Sequence, residues 1–369
     1  MKILVFNQRD IKNPASGGAE ENIHELSRRW VRMGHEVTLF CAAFPGSRPH
    51  ETIEGVTVVR GGGRLSVYVM AHLRYVFELG RRRYDVVIDD VNGIPFFTPL
   101  FCQRPIIVLV HQRIGDIFFK EVALPLAIAG YLIERSAFPF LYRKKQVVAV
   151  SRSTKDALIG MGLRGRRIAI VHNGIEHDKF GPDPDTRSKH PTICYLGRIK
   201  RYKRLDKLLL QMPEVLRKFP NAELVIAGTG DGMDEVRGYI KKLGISKHVR
   251  LLGHVSEDKR QEVLRSAWVM VNPSIREGWG ITTIEANACA TPVLAFDVPG
   301  LRDSIRDGIT GLLAKDEKEM SKNLLRVLRD DKLRQRLSRG ALAWSKEFDW
   351  DLSAKEFERI MRKVVKRKG

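Results

Sequence analysis

"WVMVNPSIREGWGITTIEANACATPVLAFDVP", residues 268–299, reads as one complete structural unit. A run rich in valine opens it, and a glycine-bearing loop follows. Then comes a helix-like stretch of small and apolar residues, and a second apolar run closes it. Strand, loop, helix and strand in that order make a crossover between parallel strands. Neither apolar run alternates with polar residues, which fits strands buried on both faces of a parallel sheet. The unit also carries two glutamates eight positions apart. Glu277 stands in the loop and Glu285 in the helix. A glutamate among small apolar neighbours is costly to bury without partners, so Glu285 asks for a reason.

The same alternation extends in both directions. On the N-terminal side, "KILVF", "HEVTLFCA", "VTVVRG", "YDVVIDD", "PIIVLVHQ", "QVVAVS" and "RIAIVHNG" read as strands. Most are separated by stretches such as "EENIHELSRRWVRMG", whose apolar residues recur at helical spacing. "FGPDPDTRSKHP", residues 180–191, interrupts the pattern with three prolines and no core residue. The alternation then resumes with "TICYLGR", "AELVIAGTG" and "VRLLGHV". Two α/β domains are expected: 1–182 together with a returning helix at 351–369, and 192–350, joined by a linker at 183–191. A chain of 369 residues has ample length for both cores. Two open sheets of this kind bind ligands beyond the carboxyl ends of their strands, in a cleft where the domains face each other.

Composition narrows the classes. Lys and Arg number 64 against 43 Asp and Glu, a formal net charge of +21. Such a surplus attracts nucleic acid, anionic lipid or phosphorylated small molecules, and does not choose among them. No helix-turn-helix pattern, aromatic stacking platform or arginine-rich tail stands out, so no nucleic-acid partner is expected. The four cysteines, Cys41, Cys102, Cys194 and Cys289, are scattered and form no CxxC pair. A reducing, cytoplasmic setting follows. "MKILVFNQRD" reads as a strand rather than a signal peptide, and no apolar run reaches the roughly 20 residues of a membrane span.

The stretch at 116–145, "DIFFKEVALPLAIAGYLIERSAFPFLYRKK", is long, apolar and basic at its end. Pro125 and Glu134 make it a poor span. It reads either as a helix pair packed in the core or as a peripheral contact with an anionic membrane surface at the inner face of the cell membrane.

Motifs cluster after strands. In "NPASGGAEENIHEL", Gly17 and Gly18 open the first helix, where glycine permits close approach and helix amides suit anions. The spacing is not GxGxxG, and no acidic residue follows the second strand, so a dinucleotide fingerprint is absent. In "YLGRIKRYKRLDKLL", Arg198 sits just past a strand end and Lys203 five residues on. A planar guanidinium and an ammonium converging there suit a diphosphate. Lys200, Arg201 and Arg204 read as solvated. Gly228 and Gly230, in "VIAGTGDG", can let a nucleotide approach the backbone. Asp89-Asp90 reads as a strand end and no DxD metal motif follows a strand, so no metal is expected.

Taken together, "GGAE", "VAVSRSTKDAL", "VHNGIEHDKF", "YLGRIKRYKRLDKLL", "VIAGTGDG" and "REGWGITTIEANACATPVLAFDVPGLRDSI" resemble the family-4 retaining glycosyltransferases of the GT-B fold, glycosyl transferases group 1. The resemblance covers nearly the whole chain. It implies two Rossmann-like, doubly wound domains facing each other across a cleft, with the C-terminal helix crossing back to the N-domain.

It also implies roles. Glu277 contacts the donor sugar near the anomeric carbon, and Glu285 holds the ribose. Arg198 and Lys203 bind the diphosphate and neutralise the leaving nucleotide. Gly18 offers its amide to phosphate, and the amides of Trp279, Gly280 and Ile281 complete the shell. His111 matches the family's N-domain histidine near the donor sugar; read alone, it is a strand-end histidine with a backbone partner. Ala290 stands where the family often carries glycine, a change expected to bear only on helix packing.

The implied reaction moves a hexose from a nucleoside-diphosphate sugar, UDP- or GDP-linked, to a glycan or lipid-linked acceptor. It uses no cofactor beyond that co-substrate and belongs to the biosynthesis of cell-envelope glycans. The competing readings are a nucleotide-sugar epimerase of the same fold and a non-enzymatic protein that binds polyanions or nucleic acid.

Overall fold

A computed structural model describes residues 1–367. Two compact units emerge, one of Met1–Gly174 together with the C-terminal stretch from Trp350, the other of Ile175–Asp349. The expected linker at 183–191 is instead bonded into the second unit. Ser188 N donates to Ser266 O at 3.0 Å and Trp268 Nε1 donates to Ser188 O at 2.7 Å. Arg187 reaches the Ala267, Cys289 and Ala290 carbonyls. Proline-rich sequence here marks an irregular strap rather than a hinge, and the division falls earlier, at Gly174.

The first unit holds an eight-stranded sheet. Its strands are β1 (Lys2–Phe6), β2 (Glu36–Cys41), β3 (His50–Ile53), β4 (Val56–Arg60), β5 (Val86–Val91), β6 (Ile106–Val110), β7 (Gln146–Ala149) and β8 (Ile168–Ile170). The order is β3-β4-β2-β1-β5-β6-β7-β8. All pairs are parallel except β3 with β4, a short hairpin that the sequence pattern missed. Winding reverses between β1 and β5, so the loops after those two strands open a crevice at the carboxyl edge.

The helix Gly18–Arg32 covers one face, and its apolar stripe of Ile23, Leu26 and Trp30 is buried. The C-terminal helix Trp350–Lys366 packs beside it. Trp30 lies 5.1 Å from Phe357, centroid to centroid, and Trp30 Nε1 donates to Ala354 O at 3.2 Å. Lys368 and Gly369, the end of the expected 351–369 helix, lie outside the described residues.

The second unit holds six parallel strands: β9 (Thr192–Leu196), β10 (Glu223–Ala227), β11 (Val249–Gly253), β12 (Val269–Asn272), β13 (Val293–Phe296) and β14 (Gly311–Ala314). Their order is β11-β10-β9-β12-β13-β14. Here the winding reverses between β9 and β12. Val, Ile and Leu of β9, β10, β12 and β13 are nearly all fully buried, and alternate ones, Ile193, Leu224, Ile226, Val269, Val271 and Leu294, form one core with the helices packed against them. All four cysteines are free thiols and buried.

The apolar stretch 116–145 is neither a single helix nor a core pair. It breaks into Phe118–Glu121, Leu124–Leu132, a wide π turn at Ile133–Ala137, and Phe138–Tyr142. Ala127, Gly130, Phe138 and Tyr142 face inward, whereas Leu124, Leu132 and Phe140 are 64, 55 and 72% exposed. The buried Glu134 accepts from the amides of Ile114 at 2.6 Å and Gly115 at 2.7 Å, which explains a carboxylate in this run. No helix among the described residues is long and apolar enough to cross a membrane.

Candidate donor site at the carboxyl edge of the second sheet

The loops after β9 and β12 flank the point where the winding reverses, and they carry the residues singled out from sequence. Lys203 Nζ is ion-paired with Glu277 Oε1, each side chain about 13% exposed. Burial works against the Lys203 charge, but the Glu277 carboxylate outweighs it, and the ammonium titrates above the usual lysine value. The Arg198 guanidinium is close enough to oppose that rise. The Tyr202 ring lies 5.1 Å under the ammonium. Two cations and one carboxylate therefore converge on a part-buried edge.

Glu277 is held from three sides. Ser274 Oγ donates to Oε1 at 2.8 Å, and Asn272 Nδ2 approaches the same oxygen at 3.5 Å. Asn272 Oδ1 lies 2.6 Å from the same hydroxyl, so the two acceptors share its single proton. The backbone N of Glu277 donates to Pro299 O at 3.1 Å. At Gly300 an added Cβ would stand 2.1 Å from Glu277 O, so only glycine lets the loop after β13 pack on it. Asn272 and Ser274 were not identified from sequence; polar residues at a strand end read as ordinary turn formers.

Glu285, on the helix Ile281–Ala288, is 1% exposed. Arg260, on the helix Glu257–Ser266, reaches its Oε1 at 2.5 Å. Sequence reading foresaw burial from the apolar neighbours but missed the arginine, because "EDKRQE" offers six charged or polar residues with nothing to single out one. Trp279 is 2% exposed and packs edge-on against Phe348 at 4.9 Å, so its indole anchors the loop while its amide stays in it. Gly280, with φ +82°, starts the helix that Ile281 begins.

Gly228 and Gly230 have a reason apart from any ligand. An added Cβ would lie 1.9 Å from Gly197 O and 2.1 Å from Ile199 O. The loops after β9 and β10 are zipped together by Gly197 N to Ala227 O (3.1 Å) and Ile199 N to Thr229 O (2.8 Å). The glycines thus fix the backbone that carries Arg198. Lys200, Arg201 and Arg204, expected to be solvated, each meet a surface carboxylate: Asp231 at 2.5 Å, Glu235 at 4.0 Å and Glu317 at 2.8 Å.

Ala290 departs from the expectation of a packing effect. It ends the helix Ile281–Ala288 with φ +54°. Thr291 N donates to Ala286 O at 2.8 Å and Ala290 N to Asn287 O at 3.0 Å, the two bonds of a Schellman motif whose left-handed residue favours glycine. Ala290→Gly should raise stability by about 1 kcal/mol, read as a higher denaturation midpoint with unchanged activity.

In the first unit, the crevice loops converge on Glu20, 1% exposed and not identified from sequence. It accepts from Arg9 Nε at 2.9 Å, Asn92 Nδ2 at 3.3 Å and Gly17 N at 2.8 Å. An acid three residues after a helix cap is the signal that announces such a bond. The Gly17 amide is therefore committed to Glu20, a correction to its expected share in phosphate binding, and the Gly18 amide is the one left for an anion. His111 follows β6. Its partner is a side chain and not the backbone: Nε2 lies 2.6 Å from Asp90 Oδ1, and Thr154 Oγ1 donates to His111 O at 3.2 Å. Burial raises the Asp90 carboxyl above its usual range, and His111 partly offsets this. Asp89 and Asp90 lie within β5.

Comparison with known proteins gives a consistent result. Residues 16–179 match the model of Glycosyltransferase Family 4, and residues 177–344 that of Glycosyl transferases group 1. The phosphatidyl-myo-inositol mannosyltransferase of Mycobacterium tuberculosis is 32% identical over 374 residues, covering 95% of this chain and 94% of its own. Among solved structures, sucrose-phosphate synthase of Thermosynechococcus elongatus superposes with a TM-score of 0.84 at 20% identity, covering 99% of both chains. HepE of Anabaena, solved with UDP and glucose, superposes at 0.79 and 16% identity over 98% of this chain and 100% of its own.

Proposed function

The chain belongs to the family 4, group 1 glycosyltransferases of the GT-B fold, and from that premise we propose that it moves a hexose from a UDP- or GDP-sugar to a glycan or lipid-linked acceptor with retention of anomeric configuration. The observation that carries this reading is the Lys203–Glu277 pair beside Arg198 at the reversal point of the second sheet. As the sugar–phosphate bond breaks, negative charge gathers on the diphosphate and positive character on the sugar ring. Lys203 and Arg198 face the first and Glu277 the second, and groups fixed in place before reaction are the most effective stabilisers. Glu285 takes the ribose hydroxyls. In the first unit, Gly18 and His111 keep the roles the family resemblance implies.

The UDP and glucose of HepE and the lipid substrate named for the mycobacterial relative support a nucleotide-sugar donor and a lipid-linked acceptor. The exposed Leu124, Leu132 and Phe140 support contact with a membrane surface as part of cell-envelope glycan synthesis. NMR of the reaction with each donor tests the proposal. Release of a nucleoside diphosphate with a first-formed product of the donor's own anomeric configuration is expected, and an inverted product overturns retention. Because Lys203 and Arg198 supply positive charge at the leaving group, a chelator should leave the rate unchanged. Loss of activity that manganese restores would contradict this.

A further inference from the structure

The opposite edge of the first sheet carries a cavity of about 520 Å³ that the transfer reaction does not use. It lies at the amino ends of the strands. Ile106 begins β6, Gln146 begins β7, and Arg167 immediately precedes β8. The register pairs Ile107 with Gln146 and Val147 with Ile168, so these residues share one edge. His111 lies five residues beyond Ile106, about 16 Å away along β6. Lys144, Lys145, Arg167 and Arg367 line the cavity, and no carboxylate among the described residues does.

Three runs far apart in sequence meet there: "RKK" at 143–145, "RGRR" at 164–167 and the end of the C-terminal helix. Lys200, Arg201 and Arg204, by contrast, each find an acid. Lys144, Arg167 and Arg367 meet none among the described residues, and the buried Arg167 Nε donates to nothing. Its carbonyl is fixed by Gln146 Nε2 at 2.9 Å, so the arginine is anchored while its donor is unspent. Like charges gathered in a hollow repel one another and focus a positive potential.

We infer that this cavity is a second anion site, taking a phosphate-bearing group held by the Arg167 and Arg367 guanidinia and the Lys144 ammonium. Forked and point-like donors together match phosphate oxygens. The ligand is either a free phosphate compound or a phospholipid headgroup. The second source is brought near by the exposed Phe140, which precedes the 143–145 run by only a few residues.

The test uses the full chain carrying Lys203→Ala, so that phosphate binding at the donor site is weakened. Inorganic pyrophosphate is titrated by calorimetry, and vesicles of phosphatidylcholine with phosphatidylglycerol are co-sedimented. Adding Lys144→Glu with Arg167→Gln should weaken pyrophosphate binding, vesicle binding, or both by at least about tenfold. Arg367→Glu, at an exposed helix end, should act in the same direction and guards against a folding defect at Arg167. A fall for pyrophosphate alone identifies a soluble phosphate ligand, and a fall for vesicles identifies the headgroup. If neither probe binds, or both bind the added variants as tightly as their parent, the site does not exist.

Discussion

Replacing Lys203 with alanine is expected to slow sugar transfer about 10²–10³-fold while the protein stays folded. In the proposed reaction the ammonium faces charge that appears only as the bond to the leaving diphosphate breaks, so its loss should fall on the transition state more than on the bound donor. The neighbouring carboxylate keeps its place without it, because Ser274 and Asn272 still hold Glu277 Oε1. Arg198→Ala should behave alike. Lys200→Ala and Arg201→Ala are the controls. Their side chains are 27 and 76% exposed and pair with surface acids, contacts worth little. They should change the rate less than about threefold.

The same lysine sets a pH expectation. Its raised pKa makes the charged form more favourable folded than unfolded, so its contribution to stability is complete below the unfolded value and is lost only as pH climbs through the folded one. Between about pH 6 and 9 the cation stays charged, and the rate profile should carry no loss attributable to it.

Glu285→Ala should weaken donor binding by about 10–100-fold, with kcat changed far less. A carboxylate that accepts from ribose hydroxyls binds ground and transition states equally, so its removal appears in KM. The structure adds a second consequence. Arg260 bonds Glu285 Oε1, and the substitution strands a guanidinium that is 23% exposed. The Arg260 side chain can still reach water, so the melting midpoint should fall modestly rather than collapse. Arg260→Ala should weaken donor binding too, by freeing the carboxylate to turn away from the ribose. A large fall in kcat with KM unchanged would place Glu285 at the reacting bond instead.

Much of this is legible in the sequence. The parallel strands showed as unbroken Val and Ile runs, and the carboxyl-edge positions of Arg198, Glu277 and His111 followed from where those runs stop. What escaped has physical causes. β3 is a four-residue hairpin arm whose "HETI" has no apolar run to show. β14 is equally short and begins with a glycine. Arg260 and Asn272 look like any polar surface residue, because their partners lie 25 and five positions away and only the fold makes them neighbours. Ala290 was visible as an exception, yet a positive φ is not written in a residue's name. The strap at 180–191 shows the reverse error: prolines signal irregular backbone, and irregular backbone can still be tightly bonded, as Arg187 is.

We propose that the Arg198–Lys203 edge binds a nucleoside diphosphate. Calorimetric titration of the purified chain with UDP, GDP and ADP and their hexose conjugates tests it most directly. Saturable binding of at least one nucleotide is expected, weakened at least about tenfold by Lys203→Ala and by Glu285→Ala and unaffected by Lys200→Ala. Binding of none of them, together with tight association to duplex DNA that all four basic substitutions weaken slightly and equally, would contradict it.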